Sequence, residues 1–478
     1  MGYLPANLLS AIIGVLTILV FTRLLSPSEF GAYALAFSVF SLAHVIFFTW
    51  AEAAMARYWA AAHTTEEREA LYATLYRSVL VCGAVFIPLA ILTCIALPVS
   101  TTLKVTIGLA LIGVPVRCVM NMVKVALRAR GAVAKASLLD MYSTVGVFAF
   151  GVAAALAGMG ASAIIIGMLL TPLLALPFSL PSEWKALGKG RFSRDKLRQY
   201  LAYGFPISLS LGMALILSAT DRVMLGWLMD EAAVGAYHAA YSIANRTLDI
   251  LFIWLGMAGG PALIMALEKG GRSALQIAAK DQARMLALIT VPAAVGVALV
   301  ARPLSEVVIG QDMRSAATSV TPLIAISGLL SGFLYYYFNQ AFILAKRTSL
   351  LLWTMVVPAA ANIGLNFVLI PRYGVVGAAM ASVLGYGCGV VASIIIGRKA
   401  IPMPVPMKDF ALCIGCAGVM ALAVSALPDI GGLLELTQDA VVGAAVYGAA
   451  ALALNAAGAR DLARSAVMII RRRRRAIA

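Results

Sequence analysis

Runs of about 20 mainly apolar residues recur along the whole chain, parted by short polar loops, and one such run is what a helix needs to cross a lipid bilayer. About fourteen can be delimited, at 6–22, 32–50, 78–97, 103–125, 138–157, 160–181, 200–219, 232–258, 285–301, 318–340, 350–370, 375–396, 409–427 and 440–457. The last two can span or pack as re-entrant segments. Lipid offers no partner to backbone N–H and C=O groups, so spans of this length must be helices. An all-α integral membrane protein is expected. Composition agrees, since 62% of the 478 residues are apolar and only 12% are charged, more apolar surface than a water-soluble chain of this length can hide.

The loops carry the sidedness. Those after even-numbered segments hold Arg57, Arg68, Arg77, Lys124, Arg128, Arg130, Lys135, Lys185, Lys189, Arg191, Arg194, Lys196 and Arg198 in the first half alone. The odd loops of the whole chain carry Arg23, Lys104, Arg222, Arg302, Arg314 and Arg372. Lysine and arginine accumulate on the cytoplasmic side, so both termini are expected in the cytoplasm and the chain in the inner (plasma) membrane. Arg471 to Arg475 then read as a topology and anionic-lipid anchor. The first segment has no basic n-region or cleavage site before it and is expected to be retained.

Several function classes drop out. A net charge of +16 suggests nucleic acid only when basic residues share one folded surface with aromatics, and here they are scattered through short loops. All six cysteines lie in apolar stretches, and Cys413/Cys416 has no second pair or histidine nearby, so they read as small apolar residues. The three histidines, His44, His63 and His238, are too scattered for a metal site. No phosphate loop is present, and no odd loop is long enough to house a glycosyl transfer site. Neither an enzyme nor a resident cofactor or metal is expected; a coupling H+ or Na+ is compatible.

The chain also repeats itself. RLLSPSEFGAYALAFS (Arg23 to Ser38) aligns with WLMDEAAVGAYHAAYS (Trp227 to Ser242) at an offset of 204, with Leu24/Leu228, Gly31/Gly235, Ala32/Ala236, Tyr33/Tyr237, Ala36/Ala240 and Ser38/Ser242 identical. A looser pair joins Leu127 to Leu139 with Ile343 to Leu352, and Gly158 to Gly167 with Tyr373 to Ser382. Six helices separate the copies, an even number, so both keep one orientation. Two parallel-related six-helix lobes are expected, residues 1–187 and 200–397, joined by a basic cytoplasmic linker at 188–199. Two additional helices over 398–459 and a basic tail at 460–478 follow.

These residues resemble a known family. TRLLSPSEFGAYALA (Thr22 to Ala36), TDRVMLGWLMDEAAVGAYHAAYSI (Thr220 to Ile243) and NFVLIPRYGVVGAAMAS (Asn366 to Ser382), in this order, are similar to the polysaccharide-transporter branch of the multidrug/oligosaccharidyl-lipid/polysaccharide (MOP) exporter superfamily. That branch includes O-antigen and exopolysaccharide flippases. The resemblance implies a MATE-like two-lobed fold and alternating access. It also implies a polyprenyl-diphosphate-linked oligosaccharide as cargo, carried from the cytoplasmic to the periplasmic leaflet for surface polysaccharide such as lipopolysaccharide, beside polymerase and export machinery.

Ionisable residues inside the bilayer are costly and are functional candidates by default. Arg117, Asn121, Lys124 and Arg128 follow an i, i+4, i+7, i+11 spacing, one helical face climbing about 16 Å. They form a ladder for a lipid diphosphate, or Lys124 and Arg128 are interfacial anchors that snorkel and Arg117 alone lies in the membrane. Arg246 and Asp249, one turn apart beside Asn245, either neutralise each other or divide the work, Arg246 meeting phosphate while Asp249 or Glu52 takes a coupling ion. Arg23, Asp221 and Arg222 sit at equivalent outer ends of the two lobes, as a periplasmic gate or as plain interfacial residues. His44 reads as a packed neutral imidazole. Asn339, Gln340, Asn362 and Asn366 read as helix-to-helix hydrogen-bonding groups.

Two other functions compete. A cation-coupled multidrug antiporter of the same superfamily calls for a cavity dominated by carboxylates, whereas Glu52 and Asp249 are here matched by Arg117 and Arg246. A membrane polysaccharide polymerase or ligase needs a long periplasmic catalytic loop.

Overall fold

The computed structural model describes residues 4–347, 350–464 and 468, so Arg471 to Arg475 lie outside the described residues. The described residues form helices and no strands. In chain order these are α1 (Leu4–Leu24), α2 (Pro27–Phe47), α3 (Thr49–Ala61), α4 (Thr65–Ala96), α5 (Thr101–Ala129), α6 (Val133–Leu156), α7 (Ala163–Ser179) and α8 (Pro181–Lys189). They continue as α9 (Arg194–Leu228), α10 (Glu231–Leu299), α11 (Ala301–Val308), α12 (Gln311–Phe333), α13 (Gln340–Leu344), α14 (Leu350–Gly397), α15 (Met407–Ser425) and α16 (Gly432–Leu454). A π-helical turn, Leu334–Phe338, joins α12 to α13.

Among the described residues, 12 helices are long and apolar enough to cross a membrane. Two of them, α10 and α14, bend at Gly271 (φ 67°) and Gly374 (φ 57°), conformations that glycine adopts without a Cβ penalty. Each bent helix supplies two crossings, which accounts for the 14 segments read from the sequence. Helix starts follow local chemistry. Ser26 and Glu29 close a capping box at α2, with Pro27 in the first turn, and Thr64 and Glu67 close another at α4. These boxes satisfy the free N–H groups where a span emerges from lipid.

The chain divides into two compact units, Met1–His238 and Ala239–Ala478. In the first, α2 packs on α5 and α9, α3 on α5 and α9, α4 on α5, and α6 on α1 and α7. Phe21, Phe30, Phe48, Met55 and Met122 are fully buried between them. Helix α9, which the sequence places at the head of a second lobe, makes these contacts inside the first unit.

Residues 231–238 also belong to the first unit, and there the repeat becomes a contact. A Cβ on Gly31 would collide with the Glu231 carbonyl oxygen, and a Cβ on Gly235 would collide with that of Pro27. The two glycines are the aligned pair, and each faces the carbonyl four residues before the other. Only hydrogen side chains let α2 and α10 approach this closely. Ser28 Oγ donates to the Glu231 carboxylate (3.2 Å) and Ser100 Oγ to its other oxygen (2.7 Å), tying the same crossing.

The second unit has its own apolar core. Phe252, Leu286, Phe333, Tyr337, Cys413, Cys416 and Met420 are buried together. Tyr447 Oη donates to the Leu288 carbonyl (2.9 Å) and Tyr337 Oη to that of Pro404 (2.5 Å), fastening α16 and the approach to α15. Cys413 and Cys416 are free thiols inside this core, packed as apolar side chains.

Candidate functional site

Helix α2 ends where Phe48 leaves helical geometry (φ −129°, ψ −25°), and α3 restarts at once. Residues eight apart in a straight helix are about 12 Å apart along its axis. The break instead brings His44 Nε2 to 3.0 Å from Glu52 Oε1. The same carboxylate oxygen accepts from Asn121 Nδ2 of α5 at 3.1 Å. One turn earlier on α5, Arg117 lies within electrostatic reach of Glu52, and its guanidinium rests over the Phe40 ring at 5.5 Å. Phe40 in turn stacks on His44 (6.4 Å between centroids).

Five residues from three helices thus form one cluster in the first unit. Its exposure is graded: His44 is buried, Glu52 and Asn121 are half-buried, and Arg117 is exposed although it lies well within a span. His44 Nδ1 is buried without a hydrogen-bond partner among the described residues. An arginine held by a ring face, with a shared carboxylate behind it, presents a cation whose outer N–H groups are available to an anion. Imidazole and carboxylate side by side also make a pair that can hold a proton.

The lower rungs of the proposed ladder have a partner that the sequence reading did not name. Asp140 of α6 takes Lys124 Nζ at 3.2 Å and Arg128 Nη2 at 2.6 Å. The α5–α6 turn brings this carboxylate back beside the stripe, and Asp140 stands 12 and 16 positions downstream of the two cations, too far for any local pattern. Lys124 is buried in that pair and Arg128 stays exposed.

In the second unit, Asn245 Nδ2 donates to Asp249 Oδ2 at 2.7 Å, along α10 itself. Arg246 is exposed and within electrostatic reach of Asp249, and Tyr335 and Tyr336 of the π-helical turn also face that carboxylate. A π turn beside an ionisable residue is a common mark of functional positions in helices.

The outer group is packed. Tyr237 Oη donates to Asp221 Oδ2 (2.7 Å), and Arg222 donates to Ser38 Oγ (3.2 Å) and to the Ser218 carbonyl (3.1 Å). Ser38 and Tyr237 both belong to the repeated motif. Arg23 is exposed, and its guanidinium donates to the Leu19 carbonyl at 2.7 Å. Asn339 accepts from Ser393 of α14 (3.1 Å), a helix-to-helix bond, while Asn366 donates to Asn362 along α14 (3.1 Å).

A further buried acid lies outside the spans. Glu183 of α8 receives the Tyr76 hydroxyl and pairs with Arg130 at 3.2 Å. Burial pushes its carboxyl up to about 7, against the opposing pull of Tyr76 and Arg130. Arg77 donates to the Leu187 and Gly190 carbonyls, so α8 and the start of the linker are held against α4.

Bundled apolar helices around a few paired ions, with a close helix crossing built from a sequence repeat, define a multi-pass membrane protein. A family model described as polysaccharide biosynthesis protein matches residues 20–318, more than half of the chain, and the chain belongs to that family. A probable flippase, AglR of Haloferax volcanii, is 24% identical over 312 residues, 64% of this chain and 62% of that protein. An uncharacterized membrane protein of Methanocaldococcus jannaschii is 26% identical over 202 residues, 41% of this chain and 38% of that one. The alignments therefore span less than two thirds of either relative. Among solved structures, the lipid II flippase MurJ in an inward closed conformation matches with TM-score 0.79 at 14% identity, covering 96% of this chain and 99% of that one. An inward-facing multidrug transporter of the MATE family and MOP superfamily matches with TM-score 0.67 at 15% identity, covering 84% and 95%. At these identities the structures establish a shared MOP fold.

Proposed function

We propose that this protein is a flippase that moves a polyprenyl-diphosphate-linked oligosaccharide from the cytoplasmic to the periplasmic leaflet by alternating access, for assembly of surface polysaccharide. The observation that carries this reading is Arg117, an exposed cation within a span, backed by Phe40 and near the Glu52 carboxylate that Asn121 and His44 share. A lipid diphosphate leaving water needs charge-assisted donors to replace its hydration, and an arginine fork supplies them in matching geometry. Arg246 is the corresponding exposed cation of the second unit. Membership of a polysaccharide biosynthesis family and likeness to a probable flippase point to the same class of cargo.

Transport needs no nucleotide on this reading. An inside-negative potential favours outward movement of an anion by about 2.3 kcal/mol per charge per 100 mV. Glu52 with His44, and Asp249 with Asn245, are the candidates for a coupling H+ or Na+. Arg23, Asp221 and Arg222 are the candidates for a gate on the outer side. Both termini are assigned to the cytoplasm of an inner-membrane protein, working beside polysaccharide polymerase and export machinery.

One observation favours a cation-coupled multidrug antiporter instead: both units carry a carboxylate with a side-chain amide bonded to it, and the fold is shared with a MATE transporter. Arg117→Ala and Arg246→Ala, scored for cell-surface polysaccharide and for lipid-linked precursor held in the inner leaflet, separate the two. The flippase requires surface polysaccharide to fall and precursor to accumulate. Normal surface polysaccharide with altered drug resistance moves the assignment to the antiporter.

A further inference from the structure

The second unit contains a cavity of about 500 Å³ where three helices reach one membrane boundary. It is bounded by the first turn of α15, the last turn of α16 and the second arm of α10. Three cations line it, Lys280, Arg284 and Lys408, together with Asp409 and Asp461. By the distribution of loop charges this boundary is the cytoplasmic one.

The charges do not cancel within the cavity. Arg284 Nε is bonded to Asp409 Oδ2 at 2.8 Å, a pair that locks α15 to α10. Asp461 is met by Arg464 at 3.8 Å. Lys280 and Lys408 are exposed and have no ion-pair partner among the described residues. The C-terminal carbonyls of α16, which would repel an anion, are taken by another cation: Arg460 donates to Leu452 at 2.7 Å and to Ala453 at 2.5 Å. At the opposite wall α15 begins behind Pro406 with no side-chain cap, so the positive end of that helix adds to the lysines. Leu412 and Leu454 give the lining an apolar side, and Leu454 is 56% exposed, on a helix apolar enough to cross the membrane. Polar groups at one side, with an apolar wall leading into the bilayer, suit an amphipathic ligand rather than a dissolved ion.

We infer that this cavity binds the phosphodiester headgroup of an anionic membrane phospholipid, with Lys280 and Lys408 receiving the phosphate and the acyl chains running over Leu412 and Leu454. The site is remote in sequence from Arg117 and Arg246 and holds whether or not the cargo assigned above is right. Basic pockets between spans at the cytoplasmic boundary are a recognised means of holding such lipids. With α15 pinned through Arg284 and Asp409, an occupied site ties α10, α15 and α16 together.

Native mass spectrometry of the detergent-purified full chain tests this with phosphatidylglycerol and phosphatidylcholine of identical acyl chains. Wild-type protein is expected to retain phosphatidylglycerol preferentially. Lys280→Gln with Lys408→Gln is expected to weaken that retention about 30-fold, about five-fold per cation near a membrane surface. Lys269→Gln, an exposed cation outside the cavity, is the control and leaves retention unchanged. Equal retention of the two lipids, or full retention by the double variant, overturns the inference. So does displacement of phosphatidylglycerol by inorganic phosphate at similar concentration, which makes the site one for free phosphate. Stronger retention of a polyprenyl phosphate assigns the cavity to the cargo instead and also overturns it. Helix content by circular dichroism and the monodispersity of the variant show that its loss of lipid is not loss of fold.

Discussion

The two units each place an arginine, an amide and a carboxylate in the membrane, and they do so by different means. In the first, Arg117 and Asn121 stand on α5 while Glu52 comes from α3 and His44 from α2. In the second, Asn245, Arg246 and Asp249 lie within about one turn of α10. A group assembled across helices changes when those helices move, and a group on one helix travels with it unchanged. The first cluster is therefore the one whose hydrogen bonds can change with conformation, whereas the Asn245–Asp249 bond stays within its helix.

That contrast orders the expected effects. Arg117→Ala removes the cation that a ring and a shared carboxylate hold in place, and cell-surface polysaccharide is expected to fall ~10- to 100-fold, the size of one lost charge-assisted contact. Arg246→Ala, lacking such support, is expected to cost less; the reverse order breaks the comparison. Next come the carboxylates. Glu52→Gln leaves an acceptor for Asn121 but removes the charge behind Arg117, and it is expected to lower cell-surface polysaccharide. Asp249→Asn keeps a hydrogen bond to Asn245 within one helix and is expected to lower it less. Equal losses in the two variants deny the first cluster its special place.

Glu183 extends the contrast to the linker, because its partners Tyr76 and Arg130 also come from other helices. Its folded value of about 7 stands above the ordinary 4.5, so the folded latch binds a proton more tightly than the free chain does. The stabilisation is complete below about pH 4.5 and is lost as pH rises through about 7, by up to about 3 kcal/mol. Amide protection of α8, corrected for intrinsic exchange, is expected to decline over that interval in wild type and to stay flat in Glu183→Gln. The smallest effect belongs to Lys124→Gln. Asp140 keeps Arg128 as a partner and is not left unpaired, so transport is expected to stay within about five-fold, the equivalent of about 1 kcal/mol. A loss as large as that of Arg117→Ala restores Lys124 as a direct phosphate ligand.

Much of this protein was legible without coordinates. Span number follows from length and hydropathy, because lipid leaves an apolar run of this size no fold but a helix. Aligning Gly31 with Gly235 marked the pair that later proved to be in contact, since a position that admits only hydrogen as a side chain leaves glycine in both copies. Arg117, Glu52, Arg246 and Asp249 stood out because ionised groups are expensive in a bilayer. Their partners did not. Asp140 answers Lys124 and Arg128 from the next helix, Glu52 reaches His44 through a break at Phe48, and Arg284 meets Asp409 where α10 lies against α15. Local composition and periodicity determine what a single helix is, because those forces act within a few turns. Which charge meets which is decided by how helices lie against one another, and separations of 8 to over 100 residues leave no trace in a one-dimensional pattern.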